Sequence, residues 1–237
     1  MPEYVLLWLE APLQSWGFDS KYDRRDTGAF PTKSGVLGLL FSSMGLGGEQ
    51  EDALAVWADR DLVVESFDRI DGKGVRQEPP ERLRDFQTVG THFDDRDPWE
   101  SLMIPKTREG KKAVGGGSKI THRYYLQDAA FAVAAELPPG WRERVSQGLQ
   151  APVWGIFLGR KNCAPTDFVF RGVFDTAESA LEAGRAIASE KKRTPSFRVL
   201  HGSRAGEGDV RTVNDVPLCF GPYKRYRDRR VTVVRSN

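Results

Sequence analysis

From residue 69 to residue 122 the chain drops the apolar periodicity that governs the rest of it. Charges, Pro79-Pro80, Pro98, Pro105 and Gly115-Gly116-Gly117 interrupt this stretch, and proline and glycine punctuate regular structure. Yet Phe86, Phe93, Trp99, Leu102 and Ile104 are too apolar for a plain linker. The stretch reads as an excursion from the core, an arm or a hairpin with a basic tip near residues 106–119. At that tip Lys106, Arg108, Lys111, Lys112 and Lys119 face only Glu109. The core has to be built from what lies before and after it.

Those flanks alternate in kind. Residues 3–9 are apolar and suit a buried strand. A helix follows a cap at Thr32 or Ser34, with Val36, Leu37, Leu39, Leu40, Phe41 and Met44 as its apolar side and Gly45, Gly47 and Gly48 ending it. Gly35 and Gly38 inside that helix cost about 1 kcal/mol each against Ala, which points to close packing or to close approach of another chain. Glu49 to Trp57 gives a short second helix and Leu62 to Phe67 a strand. Tyr124 to Leu137 reads as a strand, Trp141 to Leu149 as a helix and Phe168 to Phe174 as a strand. Asp175 or Thr176 caps a helix over Ala177 to Ser189; Phe197–Leu200, Val210–Val216 and Val231–Val234 are later short strands. Without the excursion, the first two thirds run βαββαβ, the split βαβ order. The expectation is one α+β domain over residues 1–237, with residues 69–122 inserted and extra strands at the C-terminal end.

Length and charge exclude several classes. A chain of 237 residues buries a core without disulfides or a metal. Lys plus Arg is 35 and Asp plus Glu is 33, a net +2, which excludes a uniformly basic protein but not a basic face. No run of 18 apolar residues suggests a membrane span. The N-terminal residues lack signal-peptide character, so a cytoplasmic protein with Cys163 and Cys219 as free thiols is expected. His92, His122, His201 and the two cysteines have no metal-ligand spacing, and no cofactor is expected.

Basic residues mixed with aromatics are the main chemical signal. Tyr223-Lys224-Arg225-Tyr226-Arg227-Asp228-Arg229-Arg230 pairs guanidinium groups suited to phosphate with rings that stack bases; a solvated basic tail is the blander alternative. Lys21, Tyr22, Arg24 and Arg25 precede Phe30-Pro31-Thr32-Lys33-Ser34-Gly35, where N–H groups at a helix start suit an anion and Lys33 would add charge. The segment lacks the GxxxxGK[ST] pattern of a nucleotide-hydrolysing loop. Arg160 and Lys161, in Leu158-Gly159-Arg160-Lys161-Asn162-Cys163, form an exposed basic turn. Lys119 and His122 suggest general acid–base cleavage of RNA, but on an extended strand they point to opposite faces. Asp94, Asp95, Asp97 and Glu100 read as a solvated acidic loop rather than a magnesium site. No serine has a G-x-S-x-G setting.

The segments Leu13-Gln14-Ser15-Trp16-Gly17, Phe30 to Leu40, Asp85-Phe86-Gln87-Thr88-Val89, His122 to Phe131 and Leu158-Gly159-Arg160-Lys161 resemble, in this order, the CasD family of type I-E CRISPR Cascade subunits. The resemblance covers Tyr4 to about Phe174 and weakens beyond. It implies a ferredoxin-like or RNA-recognition-like core with a projecting thumb hairpin inside residues 69–122. It also implies a ribonucleoprotein role in antiviral defence: binding the 5′ handle of CRISPR RNA and capping the complex without catalysis. The CasC backbone subunit and the large target-recognition subunit would be neighbours. Gln14, Ser15, Trp16, Lys21, Arg24, Arg25, Lys33, Ser34, Arg84, Arg160 and Lys161 then become candidate RNA contacts. Lys106, Arg108, Lys111, Lys112, Lys224, Arg225 and Arg227 become further contacts to RNA, to nearby target DNA or to a partner. A related subunit of type I-C systems cleaves precursor RNA itself, so a metal-independent endoribonuclease using Lys119 and His122 is the alternative.

Overall fold

The computed structural model describes residues 2–17, 23–89, 96, 107, 109–111, 119–204 and 206–236. Its centre is β1 (Glu3–Glu10). Successive side chains of a strand point to opposite faces. Val5, Leu7 and Leu9 therefore join one apolar cluster, and Leu6 and Trp8 join another. On the first face lie α1 (Lys33–Ser43), α2 (Glu51–Trp57) and α3 (Arg142–Gln150), contributing Val36, Leu40, Leu54, Trp57 and Val145. On the second lies α4 (Ala177–Glu190), contributing Ala180, Leu181 and Ala188. The main sheet is thus buried on both sides, which explains the unbroken apolar run at 5–9.

That sheet has seven strands. Besides β1 they are β4 (Leu62–Arg69), β7 (Ala130–Leu137), β8 (Phe170–Phe174), β9 (Arg193–His201), β10 (Asp209–Cys219) and β11 (Arg225–Arg235). Their spatial order is β10-β11-β9-β4-β7-β1-β8, and every neighbouring pair is antiparallel. The chain passes β1-α1-α2-β4-β7-α3-β8 on the first face and crosses by α4 on the second face to reach β9. Thr176 opens α4 with a capping box, its Oγ1 accepting the Ser179 N–H at 3.1 Å, an arrangement that stabilises a helix by about 1 kcal/mol.

A second, four-stranded sheet stands on the first. Its strands are β2 (Leu13–Gln14), β3 (Arg24–Arg25), β5 (Leu83–Val89) and β6 (Lys119–Gln127). β6 pairs antiparallel with β5 and β2 and parallel with β3. The single strand expected over Tyr124 to Leu137 is therefore two strands, one in each sheet. The break falls at Asp128, whose φ of 50° turns the chain. Its carboxylate accepts hydrogen bonds from Arg69 and Arg193, and its N–H donates to Pro12 O at 2.9 Å. β5 and β6 are the two sides of the excursion, and β6 continues to Gln127, past the expected limit at 122.

The C-terminal strands are longer than expected and take up the basic stretch that a solvated tail would have left loose. Arg225 pairs with Glu51 at 2.6 Å, Arg227 with Asp59 at 2.5 Å and Arg229 with buried Asp215 at 2.7 Å. Acids from distant segments make the arginines compatible with a strand, and no local pattern announces them.

Candidate nucleic-acid interface

One groove gathers residues from segments that are far apart in the chain. Its volume is about 470 Å³. The floor is α1, through Ser34, Gly35, Gly38 and Ser42. Ser15, Trp16, Gly17, Arg25, Gly159 and Arg160 join the lining from the segments around β2, β3 and the Leu158 turn, and Phe220, Lys224 and Tyr226 from the C-terminal hairpin, with Phe157 also present. Three cations, Arg25, Arg160 and Lys224, face one acid, Asp26. Asp26 is itself engaged by Arg24 at 3.0 Å and Arg82 at 3.7 Å. Cations with accessible rings are the composition that single-stranded nucleic acids select.

Arg160 is held in place before any ligand arrives. It donates to Tyr124 O at 3.2 Å and to Arg25 O at 2.7 Å, and its guanidinium stacks 4.7 Å from the Tyr125 ring centre. Asn162 Nδ2 donates to the Tyr125 hydroxyl at 3.1 Å, which holds that ring from behind. Arg24 lies over Tyr124 at 4.9 Å and is exposed beside the groove. Lys161 and Arg84 are also exposed, Arg84 on β5 opposite Tyr124 of β6. Burial raises the Tyr226 hydroxyl above its ordinary pKa.

Gln14 and Trp16 serve the scaffold instead of a ligand. Gln14 is fully buried; its Nε2 donates to Leu9 O at 3.1 Å and Ala129 O at 2.7 Å, and its Oε1 accepts the Trp16 Nε1–H at 3.0 Å. The Trp16 ring packs on Gly35 of α1: a Cβ there would lie 2.7 Å from Trp16 Cε3. A ring that is 1% exposed has no face for a base. Ser15 is buried as well, its N–H donating to Leu158 O at 3.1 Å and its Oγ to Tyr124 O at 3.4 Å. The side chains of residues 14–16, expected as RNA contacts, are engaged within the chain, in a joint that ties β1, β6 and the Leu158 turn together, and Ser15 and Trp16 border the groove from there.

Lys33 is a second correction. Its side chain is buried, with Nζ donating to Ala58 O at 2.8 Å and Arg60 O at 2.6 Å. It caps the end of α2 and is not among the residues that line the groove. Burial, followed by the nearby Arg229 charge, pushes its pKa down to about 8. The anion expected at the start of α1 is supplied from within the chain. Asp215 Oδ2 accepts the Lys33 backbone N–H at 2.7 Å while its carboxylate takes both Arg229 Nε and Nη2, at 2.7 and 3.0 Å. Asp215 sits where the β10–β11 register shifts between Asn214 and Val216, and a bulge of this kind re-aims a side chain. Ser34 remains at the groove, 3.3 Å from the capping Thr32 hydroxyl.

The other expected residues divide. Arg225 and Arg227 are committed to Glu51 and Asp59, whereas neighbouring Lys224 lines the groove. Lys111 is exposed, in a turn closed by the Thr107 N–H bond to Lys111 O at 2.7 Å. Lys21, Lys106, Arg108, Lys112 and the acids Asp94, Asp95, Asp97 and Glu100 lie outside the described residues, as does the side chain of Lys119. His122 is half-buried on β6 with its ring 5.5 Å from Phe86. Its Nδ1 has no hydrogen-bond partner among the described residues. Cys163 and Cys219 are free and buried, and burial raises both thiols. Glu49, Glu51 and Cys219 bring one ligand atom each within 4.8 Å of one another, but the Arg225 guanidinium already balances that group.

Phe157, Phe220 and Asp215 were not legible as site residues, and the inward turn of Arg229 was not either. Phe157 directly precedes the Leu158-Gly159-Arg160 turn, an aromatic beside a basic motif that could have drawn notice. Asp215 and Arg229 meet only through strand pairing.

The fold and groove define a mixed α+β protein with an electropositive, aromatic-lined cleft across one helix. The family of CRISPR-associated proteins described as Cas_Cas5 matches residues 4–235, and the chain belongs to that family. Among its relatives, the CRISPR system Cascade subunit CasD of Escherichia coli (strain K12) is 30% identical over 183 residues, covering 75% of this chain and 74% of that protein. A chain of a solved CRISPR RNA-guided surveillance complex superposes with a TM-score of 0.68 at 27% identity, covering 98% of this chain and 90% of that one. A crystal structure of a Cas protein gives a TM-score of 0.56 at 26% identity, covering 97% and 93%. Among the described residues no helix is long and apolar enough to cross a membrane.

Proposed function

We propose that this chain is a non-catalytic RNA-binding subunit of a CRISPR Cascade surveillance complex, and that it binds and caps the 5′ handle of CRISPR RNA. The observation that carries the reading is the groove over α1, where Arg25, Arg160 and Lys224 converge with Phe157, Phe220 and Tyr226. Cations neutralise phosphates and rings receive unstacked bases, the combination used to read single-stranded RNA. The order β1-α1-β4-β7-α3-β8 with strands arranged β8-β1-β7-β4 supports a ferredoxin-like core, and the β5–β6 pair supports a thumb. The backbone subunit CasC and the large target-recognition subunit are the proposed neighbours, in the cytoplasm. To test the reading, the assembled complex is titrated with handle RNA and with a scrambled handle. Tighter binding of the true handle and crosslinks from this chain to it are expected. Equal affinities would remove sequence-specific capture, and no crosslink from this chain would leave it a purely structural cap.

The unpartnered Nδ1 of His122 supports a second reading, in which the chain cleaves precursor RNA without metal. Cleavage of repeat RNA in EDTA that is lost in His122→Ala would establish it.

A further inference from the structure

The two glycines inside α1 have different explanations. Gly35 makes room for Trp16, since a Cβ there would meet the indole at 2.7 Å. Gly38 makes room for nothing among the described residues. It sits mid-helix, and a Cβ built on it has no described atom within 4 Å beyond its chain neighbours and the backbone of its own helix. A glycine at such a position forgoes about 1 kcal/mol of helix propensity against Ala, and no packing contact among the described residues accounts for it. What lies over it is the groove, bounded by Arg25, Arg160 and Lys224 and by Phe220 and Tyr226.

We propose that Gly38 is the floor of a subsite for one unstacked nucleotide of single-stranded RNA, which lies against the bare backbone of α1 with its base toward the Phe220 and Tyr226 wall. This rests on the RNA-binding reading and adds where a base is seated and which residue admits it. Three observations favour RNA over a protein segment. The groove is net positive, because its one acid is already paired to Arg24 and Arg82. Arg160 is preorganised by two carbonyls and a ring. The lining also combines Lys224 with the phenol of Tyr226, a cation beside a ring that carries a hydrogen-bond donor. A flat base on a flat helix face needs the absence of a side chain. A long side chain at residue 38 would occupy its place without disturbing anything the fold uses.

The test compares Gly38→Gln with Gly72→Gln in the full chain. Gly72 is likewise a glycine with nothing within 4 Å of an added Cβ and is remote from the groove in sequence. Labelled handle RNA is titrated against each, together with a series of the same RNA bearing one abasic nucleotide at successive positions. The expectation is that Gly38→Gln unfolds no earlier than wild type and binds at least tenfold more weakly, with Gly72→Gln unchanged. One abasic position should weaken wild type severalfold and leave Gly38→Gln unaffected, because the base it lacks has no seat there. Equal affinity of Gly38→Gln and wild type, or the same abasic profile in both, would overturn the subsite while leaving RNA binding standing. Wild type that binds no RNA would remove the RNA reading itself. Gly38→Gln that keeps RNA affinity but fails to assemble with its protein neighbours would assign the groove to a protein and overturn the proposal.

Discussion

Gly159 lies so close to Ser15 that a Cβ on residue 159 would sit 1.7 Å from the Ser15 carbonyl oxygen. Gly159 also has a φ of +99°, a conformation that only glycine adopts without strain. This contact joins the turn carrying Arg160 to the segment ahead of α1, so it places one side of the groove. Gly159→Ala is expected to lose about 2–4 kcal/mol of stability through clash and backbone strain. Urea denaturation measures it, and a variant within about 0.5 kcal/mol of wild type would contradict the contact.

Lys33 and Lys224 should behave as opposites. Lys33→Met leaves the carbonyls of Ala58 and Arg60 without their ammonium, at a cost of about 2–3 kcal/mol, while RNA affinity of the folded protein and its salt slope stay unchanged. Lys224→Ala should leave stability within about 0.5 kcal/mol and weaken RNA binding, with the slope of log affinity against log salt shallower by about 0.7 for one lost phosphate contact. Titrations at several salt concentrations separate the two. Arg225→Ala serves as a control, since Arg225 is engaged by Glu51.

Stability should rise with pH between about 8 and 10.5 on account of Lys33. In the folded chain its pKa is pushed down to about 8, whereas an unfolded lysine titrates near 10.4. Across that window the unfolded chain binds the proton and the folded chain does not, so alkali favours folding. Below about pH 8 both states are protonated and the gain is absent. Urea midpoints at pH 7.5 and pH 10 should show the gap between wild type and Lys33→Met widening at the higher pH; an equal gap would place Lys33 in water.

Incubation of the isolated chain with repeat RNA and EDTA is expected to give no site-specific cleavage. His122 packs beside Phe86, half-buried on β6. Cleavage that disappears in His122→Ala would instead establish the ribonuclease reading.

Much of the fold was legible because its signals are local. The apolar run at 3–9, the Thr32 cap and the Thr176 cap each act within a turn or a strand, and each appears close to where the sequence puts it. The break at Asp128 was not, because its left-handed turn is held by Arg69 and Arg193 from two other strands. The C-terminal strands were seen only at their valine runs, because the arginines between them are neutralised by acids remote in sequence.

The candidate site divides in the same way. Sequence alone determined which segments belong together, a basic and aromatic set with a helix start and two costly glycines. It left open which side chains face outward, since a motif carries no burial. Tertiary structure decided that. It turned Gln14, Trp16 and Lys33 inward because each finds its hydrogen-bond or packing partner in the core. It put Asp215 at the helix end where an outside anion was expected. It gave Gly35 a partner and left Gly38 bare, a difference that two identical residues in one helix cannot express until the rest of the chain has packed around them.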